Sequence, residues 1–221
     1  MKNPTAAPQI LFEDTHLIVL SKPAGLLSQG EVTGDENLVD WARAHVGRNY
    51  VGLVHRLDRN TSGAMVVAKR SKSAERLTRQ LQEGQLKRNY LAWIHGRLER
   101  EERWEHHLFK DEARNVTSVV PPGRKGAKAA VLRVRPIRQA MWEGRPVTLA
   151  EFELETGRSH QIRAQSAFEK HPLVGDRKYG APADSFPRPA LHSSVIEFEH
   201  PMSKEPMRFE APLPEDFLRI R

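Results

Sequence analysis

The chain contains no cysteine. Structural disulfides, thiolate nucleophiles and cysteine-based zinc sites are therefore excluded. Aromatic residues are sparse, at 7%, and only three are tyrosine. No apolar run approaches the length of a membrane span. The opening MKNPTAAPQI lacks the apolar centre of a secretion signal. There are no internal repeats and no Gly/Ser-rich linker. These absences predict a cytoplasmic enzyme or binding protein.

What is present fits a soluble, globular class: 221 residues, 38% hydrophobic and 29% charged. That length suits one large domain or two small ones and can bury a core without staples. Thirty-five Lys and Arg stand against 28 acidic residues, a net charge of +7. A basic excess favours a polyanionic partner, because each phosphate neutralised releases counterions. Charge alone is equally compatible with a solvated basic surface.

Residues 1–9 read as a disordered leader, followed by one domain over 10–221. Residues 10–20 predict two strands around an Asp14–Thr15 turn, broken by Lys22-Pro23-Ala24-Gly25. Leu38, Trp41, Ala42 and Val46 form a helical stripe. Strand-like ends at 51–54 and 64–68 flank a polar loop with Asn60, Thr61, Ser62 and Gly63 as turn formers. A helix is expected over 71–83 with Ser71 as its N-cap. Residues 87–96 read as a strand, and 110–128 as a loop or hairpin tip carrying Arg124, Lys125 and Lys128. Strands at 129–135, 146–155 and 195–199 and a helix at 159–169 complete the reading.

Three segments carry candidate chemistry. Asp58, in His55-Arg56-Leu57-Asp58, stands where a strand meets a loop, a common way to present a reactive group. Taken alone it reads better as a turn aspartate capping Asn60 or Thr61. Gly157-Arg158-Ser159-His160-Gln161-Ile162-Arg163 packs two Arg, a His and a Gln into one turn, with Ser159 and Arg163 expected on one helical face. An arginine there could keep a carboxylate ionised. Tyr90, in Lys87-Arg88-Asn89-Tyr90, is either a core aromatic or a platform for a base.

Together these segments resemble the RluA-type pseudouridine synthases. His55, Arg56, Leu57, Asp58, Thr61, Ser62 and Gly63 match H-R-L-D-x-x-T-S-G, and Gly157, Arg158, His160, Gln161, Ile162 and Arg163 match G-R-x-H-Q-I-R. Lys87 and Tyr90, the opening Asp14–Gly25, and His171-Pro172-Leu173-Val174-Gly175-Asp176 with Tyr179-Gly180 extend the likeness to about residues 10–215. Ser159, Gln165 and Lys170 depart from the residues most common in the family. An ordered set of motifs is far more specific than any one of them.

The resemblance implies an α+β pseudouridine synthase fold, with a long, curved, mainly antiparallel mixed sheet and flanking helices. It implies isomerisation of uridine to pseudouridine in a ribosomal or transfer RNA stem-loop, by a monomer without cofactor or metal. Many members of that family carry a small N-terminal RNA-binding domain, and the short stretch before residue 10 predicts none here. Asp58 would be nucleophile and proton-handling carboxylate, Tyr90 would pack on the uracil, and Arg163 would pair with Asp58. Arg56 would fill the gap left by the flipped base or hold a neighbouring phosphate. His55, Leu57, Thr61, Arg158, His160, Gln161 and Ile162 complete the expected substrate-binding set. Phosphate contacts are also expected from Arg59, Arg70, Arg76, Arg79 and the basic loop, with ordinary surface roles the safer reading for Arg76 and Arg79. A hydrolase would need a second carboxylate, for which Asp35, Glu36, Asp176 and Asp184 are candidates. A metal site among His45, His106, His107, His160, His171 and His192 lacks one-face spacing.

Overall fold

The computed structural model describes residues 6–30 and 34–221. The leader expected over 1–9 lies partly outside the described residues, and its last position, Gln9, already belongs to a strand. In chain order the elements are β1 (Gln9–Glu13), β2 (Leu17–Lys22), α1 (Leu38–Val46), β3 (Gly52–Leu53), β4 (Ser62–Ala68), α2 (Ser71–Gln82) and β5 (Lys87–His95). They continue with β6 (Glu102–Asp111), β7 (Val116–Val120), β8 (Lys128–Trp142), β9 (Arg145–Leu154), α3 (Gln161–Phe168), β10 (Leu191–Glu199) and β11 (Pro206–Glu210). The class is α+β, as expected. The chain divides into two compact units, one of residues 1–88 and 192–213, the other of 89–191 and 214–221.

In the first unit the strand order is β1-β2-β4-β10-β11, with β3 beside β4. Neighbours are antiparallel except β4 and β10, which run parallel. The apolar runs of β2 and β4 are buried without alternation, the pattern of strands covered on both faces. Leu77 of α2, with Ala74 and Leu81, closes a core formed by Leu17, Val19, Val54, Ala64, Val66, Leu86, Ile196 and Phe198. The α2 N-cap is Arg70, which makes no side-chain capping bond; Ser71 is already helical, so the expected Ser71 cap is corrected. By contrast Asn37 caps α1 through its side chain, accepting from the Asp40 amide.

The second unit is an antiparallel sheet in the order β5-β9-β8-β6-β7. Glu143 and Gly144 close the β8–β9 hairpin with positive φ, the two-residue turn whose twist matches its strands. The register shifts once, between Pro136 and Arg138. Strand β6 was not anticipated, and β7 lies inside the segment expected to be a loop or hairpin tip. Trp93, Val147, Val174, Phe186, Ala190, Phe217 and Ile220 form this unit's main core cluster.

Gly63 marks a close approach of two backbones. Its φ is +118°, and a Cβ placed there would meet Ser193 O at 2.1 Å and Ser193 N at 2.6 Å. Those atoms belong to the parallel partner β10 and cannot swing away. Gly63→Ala is expected to destabilise the protein by about 3 kcal/mol or more, from strain and overpacking together, measured by urea unfolding.

Candidate active site

In the first unit, His55, Arg56, Leu57, Asp58 and Thr61 share the loop between β3 and β4. That loop is fastened from several directions. The Ser28 hydroxyl donates to Leu57 O at 2.7 Å and accepts from Leu57 N at 3.1 Å. Lys22 is fully buried, and its Nζ donates to Arg59 O (3.1 Å), Leu26 O (2.8 Å) and Pro23 O (3.0 Å). Gly25 N donates to Arg59 O, and Arg59 Nε returns a bond to Gly25 O. Thr61 N donates to the main-chain carbonyl of Asp58, closing the turn. Asp58 itself is half-buried, and its neighbour Arg56 is exposed.

His55 is buried beneath this loop. Its Nε2 accepts the Val66 amide at 3.2 Å, so the ring proton sits on Nδ1. Burial, followed by the nearby charge of Arg88, pushes the imidazole down to about 3 from its usual 6.5. A neutral ring is therefore part of the folded state. Thr61 and Leu57 are likewise buried and line the loop from inside.

In the second unit, Tyr90 lies on β5 opposite Phe152 and is buried. Arg158, His160, Gln161, Ile162 and Arg163 gather at the start of α3. That helix begins at Gln161, so Ser159 precedes it, and the expected helical face shared by Ser159 and Arg163 does not exist. His160 instead adopts the left-handed region, φ 51°, at a cost of about 1 kcal/mol for a residue with a side chain. Gln161 makes three side-chain bonds: its Oε1 accepts from Arg158 N and Thr156 Oγ1, and its Nε2 donates to Val131 O. Arg158 is exposed, its Nε donating to Ala129 O.

Arg163 is held by groups that the motif reading did not assign. Its Nε and Nη2 donate to the two carboxylate oxygens of buried Asp176, at 2.7 and 2.8 Å. Its guanidinium also lies 4.8 Å from the centre of the Tyr179 ring. The Tyr179 hydroxyl accepts from Thr117 N and pairs with His160 Nδ1 at 2.8 Å. Burial raises the Tyr179 pKa. Asp176 and Tyr179 lie in the quoted 171–180 segment, which was the available signal for them.

Of the rival carboxylates, Asp176 holds Arg163 and Asp35 pairs with Arg59. Asp184 accepts the Gly175 and Phe186 amides. Arg76 and Arg79 follow the ordinary structural reading, on Pro201 O and Glu75 respectively.

Comparisons with known proteins bear on the fold and the family. The human protein titled RNA Pseudouridylate Synthase Domain Containing 1 superposes with a TM-score of 0.79, at 23% identity, over 96% of this chain and 86% of that one. That likeness defines the fold as that of a pseudouridine synthase. The family described as RNA pseudouridylate synthase matches residues 16–168. Ribosomal large subunit pseudouridine synthase D of Xanthomonas campestris is 37% identical over 97% of this chain and 70% of its own length. The protein of the same name from Nitrosomonas europaea is 36% identical over 96% of this chain and 64% of its own length. The chain thus belongs to the RNA pseudouridine synthase family of RluA type, isomerases that act on uridine in RNA.

Two outcomes follow from the geometry. Asp176→Ala strands a buried guanidinium and is expected to cost about 3 to 5 kcal/mol in urea unfolding. The pH profile of stability should also report His55. Its folded pKa lies below the unfolded value, so its contribution is complete above pH 6.5 and is lost as pH falls toward 3. Unfolding takes up a proton in that window, and the stability decline between pH 6.5 and 4 should be shallower in His55→Gln.

Proposed function

We propose that Asp58 acts as nucleophile or base on a uridine turned out of structured RNA, converting it to pseudouridine at specific positions without a cofactor. The observation that carries this reading is the fastened loop. Its main chain is fixed on both sides of Asp58 by Ser28, Lys22 and Gly25. A reactive group so held needs little reorganisation when substrate arrives.

In the reaction the bond from the sugar to uracil N1 breaks and a bond from the same sugar carbon to uracil C5 forms. The C5 proton leaves, and a proton returns to N1. Tyr90 supplies the surface on which the detached ring turns. Arg163, oriented by Asp176 and Tyr179, is the positive group assigned to orient the reacting carboxylate. Turning the base out costs a few kcal/mol, offset by basic side chains on flanking phosphates. Arg56 is exposed and makes no side-chain hydrogen bond or ion pair among the described residues, which suits that role or the space left by the base.

The His55, Leu57 and Thr61 side chains act on substrate through the loop they support. Arg158, His160, Gln161 and Ile162 do the same at α3. The names of the Xanthomonas and Nitrosomonas relatives favour ribosomal over transfer RNA as substrate. We place the enzyme in the cytoplasm as a monomer that needs no metal. The bonding of Asp35, Asp176 and Asp184 favours an isomerase over a hydrolase, since each is engaged in holding the fold.

RNA labelled with tritium at uracil C5 tests the assignment. Wild type should release tritium and form pseudouridine, while Asp58→Asn should form none and still bind RNA. Normal turnover by Asp58→Asn would remove Asp58 from the mechanism, and free uracil in the products would favour hydrolysis.

A further inference from the structure

Arg88 is the second residue of β5 and is 92% buried, with 8% exposure. A buried guanidinium normally has a carboxylate or several carbonyls around it. Arg88 has neither: among the described residues no side-chain hydrogen bond or ion pair engages it, and its Nε is fully enclosed without an acceptor. Its Nη atoms are equally unbonded but keep contact with solvent, where a ligand oxygen can meet them.

A second donor nearby shares the condition. His55 Nε2 accepts the Val66 amide, so Nδ1 carries a proton, and Nδ1 is buried without an acceptor. The Arg88 charge acts on the His55 ring, which places the two groups within electrostatic reach of each other. Both are donors, and no acceptor is provided for either. Such surroundings favour an anion over a cation at the solvent-facing Nη atoms of Arg88.

The strand supplies the context. Burial along β5 alternates: Arg88 and Tyr90 are buried, while Lys87 is exposed and Asn89 half-buried. A period of two turns the side chains of Arg88 and Tyr90 to the same side of the strand. His55, in turn, lies three residues before Asp58 in the fastened loop.

We infer that Arg88 is a binding residue for a backbone phosphate of the RNA substrate, its planar fork meeting one phosphodiester close to the reacting nucleotide. The inference rests on the reading of the protein as an enzyme that acts on RNA through Asp58. It adds a contact that the motif residues do not include. Arginine suits the role because two parallel N–H groups match two phosphate oxygens.

The test is RNA binding by the full chain as a function of salt, for wild type, Arg88→Met and Arg88→Lys, alongside thermal unfolding. Arg88→Met should fold at least as stably as wild type, bind RNA about tenfold more weakly, and lower the slope of log affinity against log salt by about one. Inorganic phosphate should raise the unfolding temperature of wild type more than that of Arg88→Met. An unchanged salt slope and affinity, with reduced stability, would overturn the inference and make Arg88 a structural residue. If the Met variant does not fold, Arg88→Lys decides: weaker binding at an unchanged salt slope supports the fork, and wild-type affinity sinks it. Tritium release by wild type is scored separately. Its absence would fail the pseudouridine reading, while an active wild type with an indifferent Arg88→Met would fail this inference alone.

Discussion

A buried ammonium is the constraint on which the candidate site depends. Taking Lys22 out of water costs several kcal/mol unless its donors are satisfied, and they are satisfied by carbonyls of Pro23, Leu26 and Arg59. The third of these belongs to the residue after Asp58. The charge therefore ties the end of β2 to the loop that carries the reactive carboxylate. Ser28 does the same for Leu57 with both a donated and an accepted bond. Loops are ordinarily the mobile part of a fold; here the main chain around Asp58 has its partners inside the unit.

The second unit reaches the same end by a different route. Arg163 is set by a bidentate carboxylate, Asp176, and by the face of Tyr179, and the Tyr179 hydroxyl is set by Thr117 and His160. The left-handed backbone at His160 belongs to this network, since it lets the chain turn into α3 while the ring meets Tyr179. A local strain is offset by bonds around it, a common feature of sites that must hold one geometry.

The legibility of the structure in its sequence follows from how local each cause is. The strands β2 and β4 and the helices α1 and α2 were readable because continuous apolar runs and a 3.6-residue stripe are properties of the segment itself. Strand β6 was not, because of its ten residues only Trp104 and Leu108 are buried hydrophobics, too few to show a period. The start of α3 was misplaced because nothing in the local pattern announces a left-handed histidine. The motif residues of the site were found as residues, yet their supports were not. Lys22 reads only as the start of the Lys22-Pro23-Ala24-Gly25 break, and its supporting role stays hidden because one of its acceptors is a carbonyl 37 residues away. Asp176 reads as a spare acid because its partner lies 13 residues upstream, across a helix and a turn. Sequence displays donors and acceptors but conceals which of them meet.

That distinction bears on the four Lys and Arg side chains buried among the described residues, Lys22, Arg88, Arg163 and Arg188, which differ in what surrounds them. Lys22 has carbonyls, and Arg163 and Arg188 each have a carboxylate, so in each case the protein itself supplies the acceptor and the charge serves to hold structure. Arg88 has been given none among the described residues. Folding alone does not account for such an arrangement, because an apolar side chain of the same size would pack there without the desolvation penalty. A group that is costly in the free protein is intelligible when its acceptor arrives from outside. The partnered cations and the unpartnered one therefore divide the work: Lys22, Arg163 and Arg188 fix structure, and Arg88 is left open toward the polyanion on which the machinery acts.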